Sequence, residues 1–160
     1  MTLFSFLDHL SNWGPVVFVR DSKYGMPAVQ SVHLLGLTVL LATILVVDLR
    51  LANIGIKDLP LPWLAQQLKP WTIGAAMLVV LSGILIFLTR PGSYLVSNPF
   101  RIKMALLSLA ILFHFGVVGR RIAVVDTGSR PRLINVILAG LSLTLWFSVG
   151  WAGRAIAFIP

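Results

Sequence analysis

Four stretches of this chain carry no charged residue: Tyr24 to Val47, Pro70 to Thr89, Met104 to Gly119 and Leu133 to Gly153. A helix rises about 1.5 Å per residue, so roughly 20 apolar residues in a row cross a hydrocarbon core about 30 Å thick. The third stretch is short, and it becomes long enough if Arg101 and Lys103 lay their aliphatic stems along the lipid and lift their charges to the interface. The pattern predicts transmembrane helices over 27–48, 70–89, 100–120 and 133–155, packed as an all-α four-helix bundle. Pro27, Pro70 and Pro99 fall where a first-turn proline loses no intrahelical hydrogen bond, with Asn98 as N-cap before Pro99. Arg-Pro-Gly at 90–92 ends the second span, and the polar run from Arg120 to Arg132 is the loop before the fourth.

Two shorter elements are expected along the membrane surface. Leu3, Phe6, Leu7, Leu10 and Trp13 recur at helical spacing opposite Thr2, Ser5, Asp8, Ser11 and Asn12, the pattern of an N-terminal interfacial amphipathic helix. The segment from Pro62 to Leu68, between Pro60 and Pro70, is read as a second, with Trp63 and Trp71 at the headgroup boundary.

Composition narrows the class. Charged residues make up 11% of the 160 and the mean hydropathy is +0.93, whereas soluble domains carry about 25% charged residues. Residues 1–160 therefore read as one integral membrane domain with no room for a soluble one. The net charge of +8 comes from 13 basic residues against 5 acidic ones, all aspartate. The basic residues cluster at helix ends and in loops, so their expected partners are anionic lipid headgroups, and no basic stripe exists to hold nucleic acid. The absence of cysteine excludes disulfides, thiolate metal sites and a covalently attached c-type haem. The N-terminus lacks the basic start, continuous apolar core and cleavage site of a signal peptide. Basic residues divide almost evenly between the two sides, and the cluster Arg120, Arg121, Arg130 and Arg132 tips the reading towards outward-facing termini.

The chemistry rests on His33 and His114, ionisable rings inside apolar runs, where such residues face a bundle interior, a partner or a cofactor. On the first span Gln30, Gly36, Thr43 and Asp48 fall within about 80° of His33 at 100° per residue, so that span carries a polar stripe. His114 shares a face with Leu107, Ala110 and Val117. Two neutral imidazoles between helices suit the axial positions of one b-type haem, with Gly36 and Ala110 leaving room beside them. They equally suit hydrogen bonds across helix interfaces, or a proton or ion relay that includes Asp48.

Arg154, after the small-residue run Gly150-Trp151-Ala152-Gly153, could pair with a haem propionate or anchor the helix end. Asp48 is expected in an interfacial ion pair with Arg50 or Arg120, and His9 in solvent. On the fourth span Gly140, Thr144, Ser148 and Ala152 recur every four residues, a stripe along which a helix or another subunit can approach closely. No phosphate loop, nucleophile–base arrangement or carboxylate pair marks a hydrolase or transferase.

The runs Ser31 to Leu51 and Asn98 to Leu106, the pair Phe113-His114 and the segment Gly153 to Phe158 resemble a family of small four-helix bacterial inner-membrane proteins without an assigned function. That family is in turn somewhat similar to membrane cytochromes b and copper-resistance membrane proteins. The resemblance implies a multi-pass protein of the bacterial inner membrane, with His33 and His114 as the ligands that would carry over. The expected function is a small haem-binding subunit passing electrons between a quinone and a partner protein. The alternatives are a non-catalytic accessory subunit of a larger complex, or a homo-oligomer, and a small transporter or proton relay.

Overall fold

The computed structural model of the protein describes residues 3–55, 58–124 and 133–156. Among these described residues four helices are long and apolar enough to cross a membrane, as the hydropathy pattern predicts. These are α3 (Gly25–Leu51), α4 (Leu61–Thr89), the continuous helix Asn98–Val124 and α8 (Leu133–Ala155). Ahead of them lie α1 (Leu3–Ser11) and α2 (Gly14–Asp21), and α5 (Pro91–Val96) joins the second span to the third. The helix Asn98–Val124 has three parts: α6 (Asn98–Ile111), a π-helical stretch (Leu112–Val118) and α7 (Gly119–Val124). Around the bundle the order is α4, α3, α8, α6, and α7 returns to touch α4.

Several boundaries differ from those expected. The segment read as a second surface helix is the first two turns of α4, which runs through Pro70. Proline removes one backbone donor, and a span can absorb that loss when the helix on either side is held by its neighbours. Leu61 is buried in one layer with Val47 and Leu51 of α3, which supplies that hold, and Leu64 is buried as well. The third span reaches 27 residues because helix continues through Arg120 and Arg121. The rest of the predicted loop, residues 125–132, lies outside the described residues. Asn98 is the first residue of α6 rather than its cap, and Ser97 occupies the capping position without a side-chain bond.

The N-terminal surface helix is present as α1, and α2 after it was not anticipated. Val16 and Val19 of α2 are buried against the bundle. Gly25 explains how α3 can start so close by: a Cβ there would lie 2.6 Å from the Val19 carbonyl oxygen. At the same end Phe87, Tyr94 and Phe100 pack their rings together at 5.4 to 6.2 Å between centroids, tying α4, α5 and α6.

Lipid is as apolar as leucine, so span helices associate through close packing and interhelical hydrogen bonds rather than by leaving water. Gly36 shows the packing. A Cβ on it would sit 3.0 Å from Val79 and 3.3 Å from Leu78, so α4 lies directly against the α3 backbone. On α8 the inward face is Asn135, Ala139, Ser142, Trp146, Val149 and Ala152. Of the predicted small-residue stripe, only Ala152 belongs to that face, while Gly140 and Thr144 are exposed and Ser148 is half-buried.

Candidate functional site

Asp48 is the most deeply buried ionisable group described, with no exposed surface. Its Oδ1 lies 3.8 Å from Nδ1 of His114, which reaches in from the π-helical stretch and is 7% exposed. The same nitrogen is hydrogen-bonded to the Ser142 hydroxyl of α8 at 3.0 Å. The hydroxyl and the carboxyl oxygen thus approach one and the same ring nitrogen, and neither carboxyl oxygen has a hydrogen-bond partner among the described residues. Three spans thus contribute one carboxyl, one imidazole and one hydroxyl to a single buried cluster. The ion pair expected between Asp48 and Arg50 is not formed: Arg50 turns back to the Leu59 carbonyl and to Asn53.

Local structure places each of these groups. Residues four apart on an α-helix drift by about 40° per step, since each residue turns about 100°. Ala110, His114 and Val118 are four apart and all buried, and the wider π turn keeps them on one side. The Gly119 N–H donates to the His114 carbonyl, five residues back. Such π insertions are frequent at functional sites.

Ser142 differs from the other span hydroxyls. Ser31, Thr38, Thr43, Thr72, Ser82, Thr89, Ser108, Thr144 and Ser148 each donate to a carbonyl of their own helix. The recorded bond of Ser142 is instead across the interface to His114.

The cluster is enclosed from both ends. Ile44, Ala110 and Trp146, each four residues from Asp48, His114 or Ser142 along its helix, belong to an apolar layer with Leu40, Ala75 and Val149. On the α7 side, Leu51, Val118 and Ala139 lie three or four residues from the same three groups, in a second layer with Val47, Ala52 and Leu61. Beyond that layer Arg121 donates to the Asn135 side chain at 2.7 Å. Trp146 meets His114 edge-on at 6.3 Å between centroids, and its buried indole N–H has no partner among the described residues.

His33 lies elsewhere. It is half-buried and bonds through Nδ1 to Ser82 of α4 at 2.9 Å. Ser82 in turn donates to the Leu78 carbonyl at 2.5 Å, so its oxygen accepts from the ring and the His33 proton resides on Nδ1. From His33 to Asp48 is fifteen residues of one helix, a rise of about 22 Å. The helix pair α6 and α8 has its own register. Ser142 meets His114 and Gly153 meets Lys103, eleven residues on in opposite directions, which sets Lys103 about 16 Å from the buried cluster.

The structure therefore does not bring His33 and His114 together. One iron needs both axial nitrogens at the same depth, and the space expected beside them is filled, at Gly36 by Leu78 and Val79 and at Ala110 by the apolar layer. The residues present do not fit a b-type haem shared by the two rings. Arg154 is exposed and lines an open groove on the outside of α3 and α8, with Leu41, Phe147, Ser148 and Trp151. Lys103, taken from the sequence as a lipid-facing anchor, is half-buried and reaches across to Gly153 of α8. Its position seven residues before Ala110 and eleven before His114 was the available signal, because those intervals put all three on one helix face.

The chain belongs to DUF6644, a family of unknown function, whose model matches residues 16–159. No curated protein and no solved structure matches it. Membership of a family without an assigned function agrees with the resemblance read from the sequence, and the comparisons lend no support to a likeness to cytochromes b or copper-resistance proteins.

Proposed function

We propose that this protein is a small proton-handling protein of the bacterial inner membrane, in which Asp48, Ser142 and His114 take up and pass a proton inside the bundle. The observation that carries this reading is the Asp48 carboxyl, fully buried and 3.8 Å from an imidazole on another span. Ionisable groups in a span are costly and belong by default to ion or proton pathways. A carboxyl so placed is least costly when its charge is cancelled, either by a proton on itself or by one on the ring beside it. The pair has two such states, and they differ by the position of a single proton.

The hydroxyl between them supplies the step. At 3.8 Å the ring and the carboxyl are beyond direct hydrogen-bonding distance. In the shift, the His114 Nδ1–H bond breaks as a proton moves to the Ser142 oxygen, and the Ser142 O–H bond breaks as its proton moves to Asp48. The hydroxyl is regenerated, the ring becomes neutral and the carboxylate becomes a carboxylic acid. Ser142 suits this step because its recorded bond is to the ring rather than to its own helix.

The test is proton movement in sealed vesicles of phosphatidylethanolamine and phosphatidylglycerol holding the purified protein and an internal pH dye. After an imposed pH step the wild-type protein should speed equilibration, and Asp48→Asn should bring the rate back to that of empty vesicles. A hydrophobic carbodiimide, which adds to protonated carboxyls shielded from water, should label Asp48 and block the flux together. Equal rates for wild type and Asp48→Asn would sink the proposal. So would a stoichiometric haem spectrum that disappears with His114→Ala, because it would give the ring a different task.

A further inference from the structure

The lipid-facing side of α8 is not smooth. Phe147 and Trp151, 62% and 81% exposed, stand out from it beside the half-buried Leu41, Leu143, Ser148 and Gly150, and together they bound an open groove of about 630 Å³ between α8 and α3. Arg154 marks one end of the groove, and Thr144, the twelfth of the 23 residues of α8, lies towards the other. Ten residues of helix separate the two, about 15 Å, which is half of a hydrocarbon core about 30 Å thick. The groove therefore runs from the middle of the membrane to its surface, over the depth of one leaflet. The two hydroxyls along it are already satisfied: Thr144 donates to the Gly140 carbonyl and Ser148 to the Thr144 carbonyl, so neither needs a partner from outside the helix. A Cβ on Gly150 would meet no neighbouring helix within 4 Å.

We propose that this groove holds one acyl chain of an anionic phospholipid from the surrounding bilayer, with the lipid phosphate on Arg154. A chain that starts at the headgroup and ends at the bilayer midplane matches the groove in length and in polarity. A guanidinium meets phosphate oxygens with two parallel N–H donors and has further donors left for another partner. Trp151, about one turn below Arg154, suits the level at which indole rings border the headgroups. Charge decides the lipid class. Phosphatidylethanolamine carries its own ammonium beside the phosphate, whereas phosphatidylglycerol leaves that negative charge to be met by the protein. A second copy of α8 fits less well, because a helix with its side chains is about 10–12 Å across and the two projecting rings hold it away from the small residues along which helices approach closely. Ser142 lies on the buried side of α8, so this site and the Asp48 cluster stand or fall separately.

The test is photo-cross-linking of the whole chain in nanodiscs, with phosphatidylglycerol or phosphatidylethanolamine carrying a diazirine halfway along one acyl chain. Tandem mass spectrometry then reads which residues carry lipid. Adducts of the phosphatidylglycerol probe should concentrate on Leu41 and between Leu143 and Trp151, well above those on Val80 of α4 and Leu109 of α6, which are exposed outside the groove. They should also exceed those of the phosphatidylethanolamine probe about tenfold, the order of one charge-assisted hydrogen bond. Arg154→Gln should bring the two probes level. Gly150→Leu, which fills the groove where a side chain meets no neighbouring helix, should remove the excess on α8 at an unchanged unfolding temperature. Adducts spread evenly over the groove, Val80 and Leu109 overturn the site, as does an excess that survives Gly150→Leu. Equal yields from the two probes in the wild type overturn the assignment of an anionic lipid. Ser148→Cys should stay monomeric under oxidation, and a disulfide-linked dimer would give the groove to a second copy instead.

Discussion

Ser82 and Ser142 each bond a histidine across a span interface, and they differ in where the hydroxyl proton goes. Ser82 gives its proton to Leu78 and fixes the His33 tautomer, whereas Ser142 keeps its proton available to the ring or to Asp48. Ser142→Ala should therefore slow proton equilibration about a hundredfold, the scale of a lost acid–base group. Ser142→Thr, which restores a hydroxyl, should recover most of it, and Ser82→Ala should leave the rate unchanged. Dye-monitored vesicles measure all three, and equal slowing by the two alanine variants would show that the effect is only packing. His33 and His114 were legible in the sequence because a titratable ring stands out in an apolar run. Their partners were not, because a serine on the next span leaves no mark near the histidine. Asp48 was read as an interfacial residue on the assumption that α3 ends there, and one further helical turn places it inside.

At the scale of elements, the four spans were legible because hydropathy and length settle them almost alone. Which face of each helix turns inward was less so, since every face is apolar and periodicity has little contrast. The stripe Gly140, Thr144, Ser148 and Ala152 has the small-residue spacing of a helix contact, yet α8 buries Ser142, Trp146 and Val149 instead. The close approach is at Gly36. Gly36→Leu must push Val79 and Leu78 aside and should cost about 1–3 kcal/mol, the usual range for overpacking. Gly140→Leu should change stability by less than about 0.5 kcal/mol, as surface substitutions do. Thermal unfolding in detergent ranks the pair, and a larger loss at Gly140 would restore the stripe as the packing face. The π stretch was invisible beforehand, because it is set by the need to hold Ala110, His114 and Val118 on one side rather than by any local signature.

At the scale of the whole molecule, a polar cluster lies between two apolar layers, with basic groups towards both ends. A proton at Asp48 is shut off from the α1 side by Leu40, Ile44, Ala75, Ala110, Trp146 and Val149. On the α7 side the closure is the second apolar layer, Val47, Leu51, Ala52, Leu61, Val118 and Ala139, with the polar Arg121–Asn135 bond directly beyond it. Access should therefore come from the α7 side, and it should widen when that bond is lost. The chain has no cysteine, so single-cysteine variants need no background removal. Ala139→Cys should react with a membrane-impermeant thiol reagent applied from one side only, and about tenfold faster when combined with Asn135→Ala, the loss of one charged hydrogen bond. Ala110→Cys should stay unreactive from either side, because that layer has no polar gap for water to follow. The side that labels Ala139→Cys should match the compartment reported by fusions after Lys57 and Asp126, opposite to fusions after Ser93 and at Pro160. Labelling of Ala110→Cys from the α1 side, at the rate of Ala139→Cys or faster, would reverse the direction of access and leave Arg121 and Asn135 as a helix clasp with no part in proton entry.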